Sequence, residues 1–328
     1  MFDCHLRPCH WSVLIALPLA LACRDATNVP SASAQQPTRA SADVSAALSD
    51  LTPEMVVGGG GLRLAVYDRG NAGGTPIVLI HGFTGSCLSW QPQLTSDLAK
   101  DFRLIAYDFR GHGASEKPID PAKYSDGTLW ADDLNAVIRE KHLDHPVLVG
   151  WSYAGYVIAD YVRRYGDTAL GGVVFVGAVT KAGTPEANRY FTDDALAVFP
   201  KALSADVLTS VDATRELTRM FANPFRGPAW ERSYGTAMMV PPAVRVGMWS
   251  RVLDNDDVLA RMRVPTLVVQ GSADRIVRGC AAAHIAATVP GAKLIVYPGV
   301  GHAVQLDAPE RLNRDVAIFV RAPRRNHP

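Results

Sequence analysis

The chain of 328 residues has almost no net charge: 33 Lys and Arg against 32 Asp and Glu leave +1 at pH 7. Its basic residues are scattered, so no long-range field recruits nucleic acid or an anionic membrane, and the tail Arg321-Ala322-Pro323-Arg324-Arg325 reads as a short solvated end. No apolar run has the length of a membrane span. The uncharged run Trp11 to Ala22 holds about 12 residues, where a spanning helix needs about 20. Cysteine is scarce, with five in all and only Cys87 and Cys280 inside the region expected to fold. Metal-ligand spacing is missing as well: Cys4, His5, Cys9 and His10 resemble ligands, but they sit in a segment expected to be removed, so no metal is expected.

That segment has the layout of a secretory signal: Arg7, then the apolar run, then small residues. Two exits fit the small-x-small pattern, Ala20-Leu21-Ala22 before Cys23 and Ala32-Ser33-Ala34 before Gln35. Cys23 also resembles a bacterial lipoprotein acylation site, although Ala20 stands where that pattern usually has leucine. Three readings stay open: a soluble periplasmic or secreted protein, a lipoprotein anchored through Cys23, and an apolar N-terminal helix that remains attached. Residues from Arg24 to Pro53 are rich in Ala, Ser, Thr, Asp, Gln and Pro without a sustained period, which predicts a flexible linker. The expected organisation is a signal over 1–22, a linker over 23–53 and a folded domain over 54–328. With 48% hydrophobic and 20% charged residues, that domain can bury a large core.

Within it the most informative stretch is Gly150-Trp151-Ser152-Tyr153-Ala154-Gly155, entered from the apolar run Pro146-Val147-Leu148-Val149. It reads as a strand turning sharply into a helix around one serine. Such a turn has no room for side chains two residues either side of the serine, and Gly150 and Ala154 are small. The stretch Tyr156 to Val162 is apolar at helical spacing, which would place a helix N-terminus and its unpaired N–H groups beneath Ser152. Downstream, Val264 to Gly271 reads as a buried strand whose following loop carries Asp274, and Leu294 to Tyr297 as another strand whose Gly299 and Gly301 would bring His302 back over the strand edge. Upstream, Pro76 to Ile80 is a strand followed by the permissive loop His81-Gly82-Phe83-Thr84-Gly85-Ser86, suited to aiming a backbone N–H at a developing oxyanion. The candidates are therefore Ser152 as nucleophile, Asp274 as orienting acid, His302 as base, and the backbone N–H groups of Phe83 and Tyr153 as oxyanion donors.

Neighbouring residues read as structural. His81 is expected to brace the oxyanion loop, and Asp108, Arg110 and His112 to fix the turn after their strand. Asp307 is expected to cap a helix, since Asp307-Ala308-Pro309-Glu310 has the D-x-x-E spacing of a helix start.

These ordered motifs, together with Asp108-Phe109-Arg110-Gly111-His112-Gly113-Ala114-Ser115, resemble the α/β-hydrolase fold superfamily from about Val56 to Val320, on its serine-esterase and cofactor-free perhydrolase side. One departure is Ala154, where the family usually has glycine. The resemblance implies an α/β fold with a mostly parallel sheet flanked by helices, a serine hydrolase acting on a small carboxylic ester or related acyl compound, and no cofactor. Cys87 and Cys280 follow strands that the family's sheet order separates by two others, which implies no disulfide between them. Perhydrolases and hydrolases of carbon–carbon bonds in diketones would use the same three residues, and a ligand-binding protein that keeps the fold is a further alternative. Serine at 152 argues against epoxide opening and dehalogenation, which need a carboxylate nucleophile. The strand and helix alternation breaks after Val179 and resumes at Thr266. The stretch between, about 180–263, is expected to form a helical cap whose Phe191, Phe199, Met220, Phe221, Trp230, Met238, Met239 and Trp249 mostly pack its helices, with some lining an apolar pocket. The expected partner is a small acyl substrate; the oligomeric state is left open.

Overall fold

The computed structural model describes residues 52–221 and 227–322. The expected signal, Cys23 and all but the last two residues of the expected linker lie outside them. Among the described residues ten strands form: β1 Glu54–Val57, β2 Arg63–Gly70, β3 Pro76–Ile80, β4 Arg103–Tyr107, β5 Val147–Trp151, β6 Gly172–Val176, β7 Lys181–Ala182, β8 Leu253–Asp254, β9 Thr266–Gly271 and β10 Lys293–Tyr297. Eight of them build one sheet in the order β1-β2-β4-β3-β5-β6-β9-β10. The pairs β1 with β2 and β2 with β4 are antiparallel, and every pair from β4 across to β10 is parallel. Strands covered on both faces need apolar residues at consecutive positions, not alternate ones. β5, β6 and β9 are accordingly buried at every position.

The helices of eight or more residues among the described ones are α1 Gly127–Glu140, α2 Ala154–Tyr165, α3 Asp193–Ala202, α4 Val207–Arg219, α5 Pro228–Met238, α6 Pro242–Trp249, α7 Gly279–Thr288 and α8 Pro309–Arg321. Local chemistry sets several starts. The side chains of Asp126, Thr192 and Asp206 accept from the N–H of Thr128, Ala195 and Thr209 at the heads of α1, α3 and α4, while proline opens α5, α6 and α8, where its missing N–H costs nothing. None of the described helices is long and apolar enough to cross a membrane. Cys87 is buried, Cys280 is exposed, and both are free thiols.

Helices α3 to α6 are inserted between β6 and β9. The outgoing and returning chains meet in the antiparallel pair β7 and β8, with Lys181 opposite Asp254 and Ala182 opposite Leu253, and Asn255 Nδ2 donates to Thr180 O at 2.9 Å beside it. The inserted helices share a buried cation. Arg245 of α6 is 1% exposed and donates to Ala202 O at the end of α3 (3.0 Å), to Ala237 O and Val240 O at the end of α5 (2.8 and 3.0 Å), and to Ser210 Oγ and Thr214 Oγ1 of α4 (3.2 and 2.8 Å). Helix C-termini carry partial negative charge, so two of them together stabilise a guanidinium that meets no carboxylate there.

One expectation needs correction. Asp307 does not cap α8; the residue before that helix is Ala308, which offers no side-chain acceptor. Asp307 closes the short turn Val304–Asp307 and its Oδ2 accepts from Gly301 N at 2.8 Å. The D-x-x-E spacing is met by two helical segments in succession, and the carboxylate is taken up by the loop that the first of them packs beneath.

Candidate active site

Ser152, Asp274, His302 and Phe83 all follow the carboxyl ends of parallel strands, β5, β9, β10 and β3 respectively. This is the edge at which open α/β sheets place their ligands. Ser152 takes φ +56°, the left-handed region that non-glycine residues seldom adopt. The turn that forces this is crowded: a Cβ on Gly150 would stand 2.5 Å from Ile158 Cδ1 and 3.0 Å from the Ala154 Cβ. Alanine at 154 therefore fits, provided that 150 stays glycine. Gly82 has the corresponding role in the facing loop, where a Cβ would come within 2.9 Å of Ser152 Cβ. Two residues on, Thr84, a β-branched residue, sits at φ +56°. Backbone strain of this kind costs about 1–3 kcal/mol per residue and gathers at functional loops.

His302 Nδ1 and Asp274 Oδ2 are 2.8 Å apart, with side chains 1% and 2% exposed. A carboxylate only accepts, so Nδ1–H donates, and in the neutral imidazole this tautomer leaves the lone pair on Nε2. Asp274 is held by more than the imidazole. Its Oδ1 accepts from the N–H of Ile276 and Val277, both at 2.8 Å, and its Oδ2 also accepts from Gln270 Nε2 at 3.0 Å. The imidazole is gripped through its backbone as well: Trp151 Nε1 donates to His302 O at 3.0 Å, and the two rings lie 5.4 Å apart. Trp151 and Gln270 escaped the sequence reading. Gln270 left one signal there, a lone carboxamide within an otherwise apolar strand; Trp151 left none, because its donor finds its acceptor 151 residues away.

Among the described residues the N–H groups of Phe83 and Tyr153 donate to no protein acceptor, and the two rings lie 6.4 Å apart. The loop carrying Phe83 is braced by His81, as its position suggested. His81 Nδ1 donates to Gly82 O at 2.8 Å, and Phe109 N donates to His81 Nε2 at 3.0 Å. Complete burial holds this imidazole down to about 3, so the ring is neutral. His112, equally buried and 5.2 Å away ring to ring, is also down to about 3, mainly through burial and then through His81. Asp108 accepts from Cys87 N at 2.7 Å and from Ala114 N at 2.8 Å, fixing the turn after β4. Arg110 pairs with Asp133 at 2.7 Å.

Ser152 and His302 line one cavity together with Phe83, Trp151, Phe199, Leu217, Phe221 and Ile276. Its volume is about 10 Å³, room for about one water. Of the aromatic and Met residues singled out in the insertion, Phe199 and Phe221 reach this wall. Met220 is buried away from it, and Met239 is 57% exposed. Leu217 and Ile276 were not foreseen, since a leucine or isoleucine in an apolar run gives no sign of which side it faces. Among the described residues no group of three or more His, Cys, Asp or Glu could hold a metal ion.

A strained serine at a strand–helix turn, a buried acid–imidazole pair and free N–H groups at the carboxyl edge of a parallel sheet define a hydrolase-type enzyme. Residues 75–309 match the model of the alpha/beta hydrolase fold family, and the chain belongs to that family. It is similar to an esterase from Rhodococcus sp. ECU1013, with a TM-score of 0.78 and 31% identity over 83% of this chain and 99% of that one. A bifunctional esterase/perhydrolase of Acinetobacter calcoaceticus is 27% identical over 80% of this chain and 97% of its own. A non-heme chloroperoxidase of Kitasatospora aureofaciens is 28% identical over 79% and 96%.

Proposed function

We propose that the protein is a serine hydrolase of small carboxylic esters, working through an acyl-enzyme. Ser152 Oγ attacks the carbonyl carbon while His302 Nε2 takes its proton, and Asp274 holds the imidazole in the tautomer that can do so. The N–H groups of Phe83 and Tyr153 stabilise the oxyanion of the tetrahedral intermediate. The C–O bond to the alcohol then breaks, and His302 returns the proton to the leaving oxygen. Water, deprotonated by His302, attacks the acyl-enzyme and releases the acid and free Ser152. The observation that carries this reading is that His302, paired with Asp274 at 2.8 Å, lines one aromatic-walled cavity together with Ser152. The nucleophile, the base and the oxyanion donors in these steps are protein groups, and the substrates expected are short acyl esters and compact lactones.

The test is labelling with a fluorophosphonate alongside a panel of esters, lactones and diketones, with Ser152→Ala as the control. Loss of labelling and a fall in turnover to below about a hundredth is the expected result, since triad members carry far larger factors. Retention of activity in Ser152→Ala would refute the nucleophile. A second reading has support from the likeness to the esterase/perhydrolase: hydrogen peroxide in place of water on the same acyl-enzyme would release a peracid. Peracid yield from a carboxylic ester with added peroxide separates the two. For the segment before the fold we propose export, with the run from Trp11 to Ala22 as its signal and Cys23 as a lipid-anchoring residue in the lipoprotein form.

A further inference from the structure

The loop that carries Asp274 is fastened to the start of the insertion, and one residue of the insertion makes the central bonds. Asp274 Oδ1 accepts from the N–H groups of Ile276 and Val277, both at 2.8 Å. Each of those N–H groups shares a rigid peptide unit with the carbonyl of the residue before it, so the two units end in Arg275 O and Ile276 O. Thr192 takes up both oxygens. Its Oγ1 donates to Arg275 O at 2.6 Å, and its N–H donates to Ile276 O at 3.0 Å. Two consecutive peptide units are therefore held between the Asp274 carboxylate on one side and Thr192 on the other. The same hydroxyl accepts from Ala195 N at 3.2 Å, which makes Thr192 the cap of α3. Helix α3 in turn carries Phe199 to the wall of the cavity that Ile276 also lines. Neighbouring bonds fix the same seam: Phe191 bridges Val277 in antiparallel sense, and Arg278 donates through its N–H to Tyr190 O and through Nε to Phe191 O, both at 2.8 Å.

We infer that Thr192 is a positioning residue for Asp274, acting through the two peptide units that hold Asp274 Oδ1, so that the insertion aims the acid as well as walling the cavity. This rests on the serine-hydrolase reading and deepens it. The Asp274 carboxylate has two oxygens and two tasks: Oδ1 takes the loop amides, and Oδ2 faces His302 Nδ1 at 2.8 Å. A peptide unit that loses the hydrogen bond at its oxygen is freer to rock between its two Cα atoms. It is also a weaker donor at its nitrogen, since hydrogen bonds in a chain polarise one another. Loss of the Thr192 hydroxyl therefore loosens the Ile276 N–H on Oδ1 and with it the direction of Oδ2. The imidazole needs that oxygen most when it takes the serine proton and becomes charged, so the loss falls on kcat. Substrate binding before proton transfer does not call on Asp274, and KM is spared. A hydroxyl that only capped a helix would, on removal, lower stability and leave kcat alone.

The test measures kcat, KM and melting temperature with a short acyl ester for the full folded chain, Thr192→Val, Thr192→Ser and Asp206→Ala, and for Thr192→Val combined with Asp274→Asn. Thr192→Val keeps the backbone N–H and deletes the hydroxyl. It should lower kcat by about 3- to 10-fold with KM within about twofold, the size of one neutral hydrogen bond lost from the transition state. Thr192→Ser keeps the hydroxyl and should restore kcat to within about twofold. Asp206→Ala removes a cap from α4, where the side chain accepts from Thr209 N at 2.9 Å; it should lower the melting temperature and hold kcat within about twofold. On Asp274→Asn, Thr192→Val should cost less than about twofold more, because its route runs through the carboxylate already replaced. Unchanged kcat in a folded Thr192→Val, an equal kcat loss in Asp206→Ala, or the same fold loss with and without Asp274→Asn would each overturn the inference. Should Thr192→Val fail to fold, Thr192→Ala carries the same test, since it lacks the hydroxyl without adding a methyl beside Arg275 O. Failure of the serine-hydrolase reading would show separately, as activity surviving in Ser152→Ala.

Discussion

Lowering the pH from 8 to 5.5 should destabilise this protein through two histidines that take no part in the chemistry. His81 and His112 are completely buried and held near 3, whereas the unfolded chain titrates near 6.5. Protonating His81 turns Nε2 from the acceptor of the Phe109 N–H into a donor facing a donor, and protonating His112 puts a charge on a ring whose Nε2 has no partner. Because both folded values lie below the unfolded one, their contribution is complete above pH 6.5 and drains away as pH falls from there toward 3. At pH 5.5 each histidine has taken about 1.4 kcal/mol from the stability measured at pH 8, about 3 kcal/mol together. Urea unfolding at the two pH values measures the sum of all such terms; buried Asp160, pushed up to about 6 by desolvation, acts in the opposite direction in this window, so a variant of one histidine is needed to isolate its share. His112→Phe isolates one term, since a flat apolar ring fits among His81 and Phe109, 5.2 and 5.9 Å away. The drop between pH 8 and 5.5 should shrink by about 1.4 kcal/mol in that variant. An unchanged drop would mean that His112 protonates as readily in the folded as in the unfolded chain, which would refute burial as the force that keeps it neutral.

Asp274→Asn should lower kcat by a factor on the order of 10³ to 10⁴, because the carboxamide favours the wrong imidazole tautomer. Asp307→Asn keeps an acceptor for Gly301 N and should cost less than about tenfold; equal losses at the two positions would show that the acid is misassigned. Leu217→Ala, which trims the cavity wall, should raise the hexanoyl-to-acetyl ratio of kcat/KM by about tenfold or more while costing about 2–5 kcal/mol of stability, and an unchanged ratio would place the acyl chain elsewhere. The proposed export predicts that mass measurement of the protein from its native host shows cleavage before Cys23, with added lipid in the lipoprotein form, or before Gln35; an intact Met1 would exclude both.

The parts of the site legible in the sequence were those that local sterics write into short patterns. Gly150 and Ala154 announced a turn with no space beside Ser152, and the crowding at 2.5 and 3.0 Å is its structural counterpart. The apolar runs of β5 and β6 announced strands buried on both faces, and the order Ser152, Asp274, His302 followed from which runs ended in loops able to bend back. What stayed hidden depends on distance along the chain. Trp151 meets His302 across 151 residues and Arg251 meets Asp160 across 91, and a tryptophan or arginine bound for such a partner looks like any other. Asp307 shows a subtler limit. Its D-x-x-E spacing correctly marks the region where a helix begins, but a carboxylate goes to whichever N–H the packing presents, and Gly301, beside the catalytic imidazole, outcompetes the start of α8. Local pattern therefore singled out the candidates Ser152, Asp274 and His302, whereas the side chains that grip them, Trp151 on His302 and Gln270 on Asp274, follow from tertiary packing.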